Sequence, residues 1–296
     1  MEPSPAFAVE GGTLLLKCEN LQHTGSFKAR GALNKLLSLS EAERSRGIVT
    51  ASTGNHGAAV AFALGKLGAS GTVYLPENAA PTKIAAIERL GARVAFHGTD
   101  GGATEVYARR YAEENGLTYL SPYNDAQVIG GQGTIALELL QQHQPLDAVF
   151  VAVGGGGLIA GIAGWLKAKA PTTQIIGCSP EASQVMIQSV RAGRILDLPS
   201  DPTLSDGTAG GIEPGTITLP LVTRDVDGFE TVTEAEIAAA LRQCLDTHHM
   251  LIEGAAAMAL ACYLKQRERW RGKTVVVLLC GANIGLEALG QVLAQA

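Results

Sequence analysis

Residues 148–158 read Ala148-Val149-Phe150-Val151-Ala152-Val153-Gly154-Gly155-Gly156-Gly157-Leu158. Six apolar residues without polar alternation read as a strand covered on both faces, which is how strands inside a parallel sheet look. The four glycines that follow let successive backbone N–H groups converge on one point at the start of a helical pattern. That is an anion cradle, and the positive end of the helix dipole adds to it. The pattern is neither GxGxxG followed by an acidic residue nor GxxxxGK[ST]. It therefore argues for a phosphate and against both a nicotinamide enzyme and a nucleotide hydrolase. If the cradle is the reason for the glycines, valine at Gly155 or Gly156 is expected to weaken phosphate retention more than fold stability.

Outward from this stretch, apolar β-rich runs alternate with helical patterns. Candidate strands lie at 13–18, 47–52, 71–75, 93–96, 118–120, 148–153, 174–178 and 273–279. Helical patterns lie at 57–67, 82–90, 103–114, 133–142, 158–168 and 234–247. Such alternation predicts an α/β fold with mostly parallel sheets and right-handed crossovers. Residues 196–221 break it: they are rich in Pro, Gly, Ser, Thr and Asp and read as one long loop. Loops of that length inside compact domains are usually functional.

Bulk properties narrow the class. The 296 residues are 46% hydrophobic and 17% charged, enough for a real core and too apolar for a disordered chain. Net charge is −5 and no basic block exceeds two residues, so a nucleic-acid partner is not expected. No apolar run reaches the length of a membrane span, and MEPSPAFAVE lacks the character of a signal peptide. Cys18, Cys178, Cys244, Cys262 and Cys280 are dispersed, odd in number and without a CxxC pair. They read as reduced thiols, and a cytoplasmic location is the expectation.

Three further motifs sit where such a sheet places chemistry. Thr24-Gly25-Ser26-Phe27-Lys28-Ala29-Arg30-Gly31-Ala32 follows a strand and opens a helix. A desolvated lysine beside the positive helix end has a lowered pKa, as an imine-forming amine needs. A single such lysine, taken alone, is more often an ordinary surface residue. Ser52-Thr53-Gly54-Asn55-His56-Gly57 lies between a strand and a helix and offers N–H groups and hydroxyls for a carboxylate. By itself it also reads as a plain capped turn. Leu279-Cys280-Gly281-Ala282-Asn283 ends the last strand, where parallel sheets hold ligands. Asp206, in Leu204-Ser205-Asp206-Gly207-Thr208, belongs to the long loop.

The four motifs, in this order and over nearly the whole chain from KCENLQHTGSFKARGA to LLCGANIG, resemble the serine/threonine dehydratase and serine racemase branch of the fold-type-II pyridoxal-phosphate (PLP) enzymes. The resemblance implies a tryptophan-synthase-β-like fold, with two open parallel-sheet domains and the cofactor between them. Their expected extents are 1–48 with 126–296, and 49–125. It implies β-elimination of water from serine or threonine to give a 2-keto acid and ammonia. Serine racemase and hydroxyaspartate dehydratase are the alternatives within the fold; a PLP- or amino-acid-binding protein without catalysis is the alternative outside it. A homodimer is implied as well.

Carried onto this chain, the resemblance makes Lys28 the amine that joins the cofactor and takes the substrate's α-proton. Phe27 packs beside the ring, Asn55 bonds its phenolic oxygen, and Gly154, Gly155, Gly156, Gly157 and Leu158 hold the phosphate. Cys280 faces the pyridine nitrogen and Glu253 the ring edge. Ser52, Thr53, Gly54, Asn55 and His56 hold the substrate carboxylate, and Asp206 lies near its hydroxyl. The chain also departs from the pattern. Relatives carry roughly one more helical segment before the point where this sequence starts. Racemases place Ser where Thr53 stands, which disfavours racemisation. Cation-activated relatives place carboxylates where Ser179 and Val185 stand, with Glu181 two residues out of register, so no metal is expected.

Overall fold

The buried apolar runs build two separate sheets in a computed structural model that describes residues 1–294. In chain order the elements of the first part are β1 (Glu2–Pro3), β2 (Thr13–Cys18), α1 (Lys28–Ser38), α2 (Glu41–Arg46), β3 (Ile48–Ala51), α3 (Asn55–Leu67), β4 (Gly71–Leu75), α4 (Pro81–Arg89), β5 (Arg93–Phe96), α5 (Gly101–Glu114) and β6 (Thr118–Tyr119). The second part holds α6 (Ala126–Gln142), β7 (Ala148–Ala152), α7 (Gly157–Lys169), β8 (Gln174–Pro180), α8 (Val185–Ala192), α9 (Thr218–Asp225), β9 (Gly228–Val232), α10 (Glu234–His248), α11 (Gly254–Lys265), β10 (Thr274–Leu279) and α12 (Leu286–Ala294).

The larger sheet has the order β1-β2-β10-β7-β8-β9, parallel except for β1. The smaller is β5-β4-β3-β6, parallel throughout. Every residue of β7 is buried, as are five of the six in β10, and their Val, Leu and Phe side chains form the main core with α7, α10 and α11. A second core of Leu36, Ile48, Val60, Leu64, Val73 and Leu75 lies under the smaller sheet. No helix among the described residues is long and apolar enough to cross a membrane.

Strand order decides where the motifs meet. The last strand, β10, inserts between β2 and β7, with Val276 opposite Leu15 and Val149. The three carboxyl ends therefore lie side by side. The loop from β2 leads to Lys28, β10 ends at Cys280, and β7 runs into the glycines. Residues 24–28 are pinned there: Ser26 bridges Gly281, Ala282 N–H donates to the Gly25 carbonyl at 2.8 Å, and Phe27 N–H donates to the Cys280 carbonyl at 3.0 Å. Arg30 clamps the first turn of α1 from below, with bonds of 2.7 and 2.8 Å to the buried Glu19 carboxylate.

The loop expected over 196–221 is irregular except for a short 3-10 turn at Asp206–Thr208 and the helix α9, which begins at Thr218. α9 is stabilised by tertiary packing: Val222 is fully buried and Thr218 Oγ1 donates to the Gly155 carbonyl at 2.7 Å. Strand β9 has no counterpart among the strands expected from the sequence. It is an edge strand whose residues are mostly half-buried, so it carries no apolar run.

Candidate active site

Every site residue singled out from the sequence lines one cavity of about 400 Å³ beyond the carboxyl ends of the strands of both sheets. Phe27, Lys28, Gly154, Gly155, Gly156, Gly157, Leu158, Asp206, Glu253 and Cys280 come from the larger-sheet side, and Ser52, Thr53, Gly54, Asn55 and His56 from the smaller.

Lys28 is the first residue of α1 and its Nζ donates to the Pro122 carbonyl at 2.8 Å. Burial lowers its ammonium from 10.5 to about 8, against the opposing negative charges of Glu105 and Glu253. That change raises the neutral fraction at pH 7 by roughly 300-fold. Only the neutral amine attacks a carbonyl. The rate at which PLP attaches to the apo protein is therefore expected to climb with pH up to about 8 and then flatten. Stopped-flow absorbance on mixing checks this; a rate still rising tenfold per pH step up to pH 10 would place the attaching amine elsewhere.

The glycine loop turns at Gly156, in the left-handed region at φ 85°, and caps α7. From Gly154 to Leu158 no N–H group finds an acceptor among the described residues. Five unpartnered donors at one helix start, three of them on buried residues, have the chemistry of an anion site. The glycines have a second reason that the sequence did not show. A Cβ at Gly155 would lie 2.5 Å from the Tyr123 ring, and one at Gly157 2.8 Å from Tyr123 Cβ. At Gly154 it would lie 2.9 Å from the Thr208 backbone, and at Gly156 2.8 Å from Met186. Substitutions here therefore strain the fold as well as the cradle.

Opposite, α3 begins at Asn55 with no side-chain cap, and its first three N–H groups have no acceptor among the described residues. The Ser52 hydroxyl accepts from Gly54 N–H at 3.2 Å, shaping the turn, and the loop is free to receive a carboxylate. His56 has only its backbone to offer a carboxylate. Its ring is buried and bonds the Leu120 carbonyl at 3.0 Å, and burial lowers its pKa to about 3. The Asn55 amide donates to both Glu253 oxygens, at 3.1 and 2.9 Å, and its carbonyl accepts from Asn283 at 2.5 Å. Glu253, the N-cap of α11, also receives Asn283 N–H and the Cys280 thiol. Burial raises Glu253 and pushes the Cys280 thiol well up, so the sulfur keeps its proton. Asp206 is exposed, and its carboxylate makes no hydrogen bond among the described residues.

Several lining residues were not among the sequence candidates: Lys83, Glu105, Pro122, Tyr123 and Thr208. Pro122 and Tyr123 follow the end of β6, so the rule that ligands sit beyond strand carboxyl ends would have found them. Glu105 had no such signal; it is one charge among several on α5.

Ser179 and Val185 are structural. The Ser179 hydroxyl donates to the Val153 carbonyl at 3.2 Å, and Val185 is in the core.

Comparison with known proteins agrees with the geometry. The chain is 40% identical over 285 residues to L-threonine ammonia-lyase from Thermotoga maritima, covering 96% of this chain and 71% of that protein. It is 35% identical to L-threo-3-hydroxyaspartate ammonia-lyase from a Pseudomonas species, covering 97% and 89%. Among solved structures, the processed form of threonine deaminase isoform 2 from Solanum lycopersicum superimposes with a TM-score of 0.93 at 34% identity, covering 97% and 84%. The family model described as pyridoxal-phosphate dependent enzyme matches residues 1–281, and the chain belongs to that family.

Proposed function

We propose that the protein is a PLP-dependent ammonia-lyase that converts L-threonine, and L-serine alongside it, to the 2-keto acid and ammonia. The observation that carries this reading is the convergence of a lysine of lowered pKa, an N–H cradle without internal acceptors and an uncapped helix start on one cavity. The residues present fit PLP. The cradle suits its phosphate, Lys28 its aldehyde, and the protonated Cys280 thiol a pyridine nitrogen that stays uncharged. When bound, PLP supplies the electron sink for the pair left on the α-carbon.

The chain's own residues do the rest. The α3 start and the 52–54 turn hold the substrate carboxylate, which fixes the α-carbon over Lys28. The Lys28 amine would accept the α-proton, as a base whose pKa is close to the operating pH should. Asp206 and Thr53 lie on the cavity wall; the substrate hydroxyl takes up the proton that Lys28 removed and leaves as water, and the released enamine is hydrolysed to keto acid and ammonia. Threonine stands at position 53, where racemases place serine, and its hydroxyl is more hindered, so elimination is favoured over racemisation. In this reading the chain works as two units, 1–48 with 126–296 and 49–125, paired as a homodimer. A panel of β-hydroxy amino acids with keto-acid detection tests the function. A yellow protein that releases no keto acid from any of them would make it a binding protein.

Chelation is expected to leave turnover within about twofold. The Ser179 hydroxyl is engaged with Val153, Val185 is in the core, and a hard divalent cation needs carboxylate or carbonyl oxygens. Turnover after exhaustive chelation, then after Mg²⁺ is restored, measures this. A tenfold loss that Mg²⁺ reverses would refute it.

A further inference from the structure

We propose that Glu105 is a specificity-determining residue: its carboxylate closes the α5 end of the cavity to a second carboxylate on the substrate and admits β-substituents that are small and uncharged. This deepens the ammonia-lyase reading and rests on it.

Glu105 lines the cavity from α5, on the same side as the 52–55 turn that receives the α-carboxylate. A β-substituent directed toward α5, away from the glycine cradle, would meet its carboxylate. Its charge is only partly compensated, by an arginine that it shares. Arg109, one turn further along α5, is 3.5 Å from Glu105 but 2.6 Å from Glu213, and its guanidinium sits 4.5 Å over the Tyr119 ring. One cation thus serves two carboxylates, and the shorter pair is with Glu213. The Tyr119 hydroxyl is buried in the same cluster with no hydrogen-bond partner among the described residues. Glu105 is also the charge that most opposes the lowering of Lys28, so its field reaches the reacting end of the cavity.

A site built for a second carboxylate presents an arginine fork or comparable donors. No arginine lines this cavity among the described residues. Lys28 is committed to the cofactor, and Lys83, the other lining cation, is exposed to solvent. A dicarboxylate would bring a second negative charge to the wall that carries the half-buried Glu105, with no arginine to offset it. Threonine brings only a methyl group to that wall. The relative that acts on L-threo-3-hydroxyaspartate shares 35% of the sequence, so the family admits both substrates and a local device must separate them.

The test uses the PLP-loaded protein as wild type, Glu105→Gln and Glu105→Asp. Two quantities are read: the ratio of kcat/KM for L-threonine to that for L-threo-3-hydroxyaspartate, and the binding of malonate against propionate, followed by the cofactor's visible absorbance. Wild type is expected to favour threonine at least 100-fold and to bind malonate no better than propionate. Glu105→Gln should narrow the threonine preference tenfold or more and tighten malonate by a similar factor, with propionate unchanged. Glu105→Asp, which keeps the charge, should stay within about threefold of wild type in both. An unchanged ratio and unchanged malonate binding in Glu105→Gln would overturn the proposal, as would equal gains in Glu105→Asp. If no hydroxy-amino acid is turned over, the ammonia-lyase reading fails, while malonate against propionate still decides the role of Glu105.

Discussion

Lys28→Ala is expected to lose the visible absorbance of the lysine-linked cofactor and to lower turnover by at least about 10³-fold, the loss of both an attachment point and a general base. It should do so without weakening the apo protein at pH 7. Burial depresses the Lys28 ammonium to about 8, so below that pH the folded state holds a charge it disfavours. A lysine depressed from 10.5 to about 8 works against the fold by on the order of 3 kcal/mol below pH 8, and the burden fades as pH rises to 10.5. Alanine removes it, while leaving the Pro122 carbonyl without its donor costs about 1 kcal/mol in return. Thermal unfolding of both apo proteins between pH 7 and 10.5 checks the sign. Wild type should gain on the variant as pH rises. Borohydride trapping should label Lys28 in wild type and no lysine in the variant; a label elsewhere would transfer the role to that residue.

The parts of the fold that were legible in the sequence are those where one physical demand dominates. AVFVA and TVVVLL are buried on both faces, and no polar residue interrupts them. Their boundaries came within a residue because glycines and polar turns stop them sharply. Helix α11 was not read as a helix because all but its last two residues are buried, so it shows no amphipathic stripe. Helices α8 and α9 are short and held mainly by packing, which leaves little periodic trace. From the residues alone the site was legible as four motifs, and only the resemblance gathered them around one cofactor. Their meeting depends on β10 inserting between β2 and β7, and strand order is a long-range property. Local sequence also could not show that the His56 ring turns to Leu120, or that Asn55 and Glu253 join the two sheets across the cavity. Those contacts are made by residues 64 and 198 positions apart.

Gly155→Ala is expected to destabilise the protein by about 1–3 kcal/mol and to weaken PLP binding at least tenfold, and both losses should trace to Tyr123. The added Cβ would lie 2.5–2.6 Å from three atoms of the Tyr123 ring, so the ring must move or the glycine loop must. The ring is not free to move. Its hydroxyl accepts from Glu213 N–H at 2.9 Å, and its own backbone lies against Gly157. The loop therefore gives way, and with it the fan of N–H groups from Gly154 to Leu158. The Cβ direction separates this from simple blocking of the phosphate, because the new methyl group points at Tyr123. In a Tyr123→Ala background the space is vacant, and adding Gly155→Ala should then cost under about 0.5 kcal/mol and leave PLP affinity within about twofold of that background. The coupling is read from a double-mutant cycle on both quantities. Gly156→Ala is the contrasting case. Its φ of 85° and its approach to Met186 and Thr218 have nothing to do with Tyr123, so the same background should not rescue it. If stability recovers in the Gly155 cycle while PLP affinity does not, the methyl group obstructs the phosphate directly, and Tyr123 is only a neighbour.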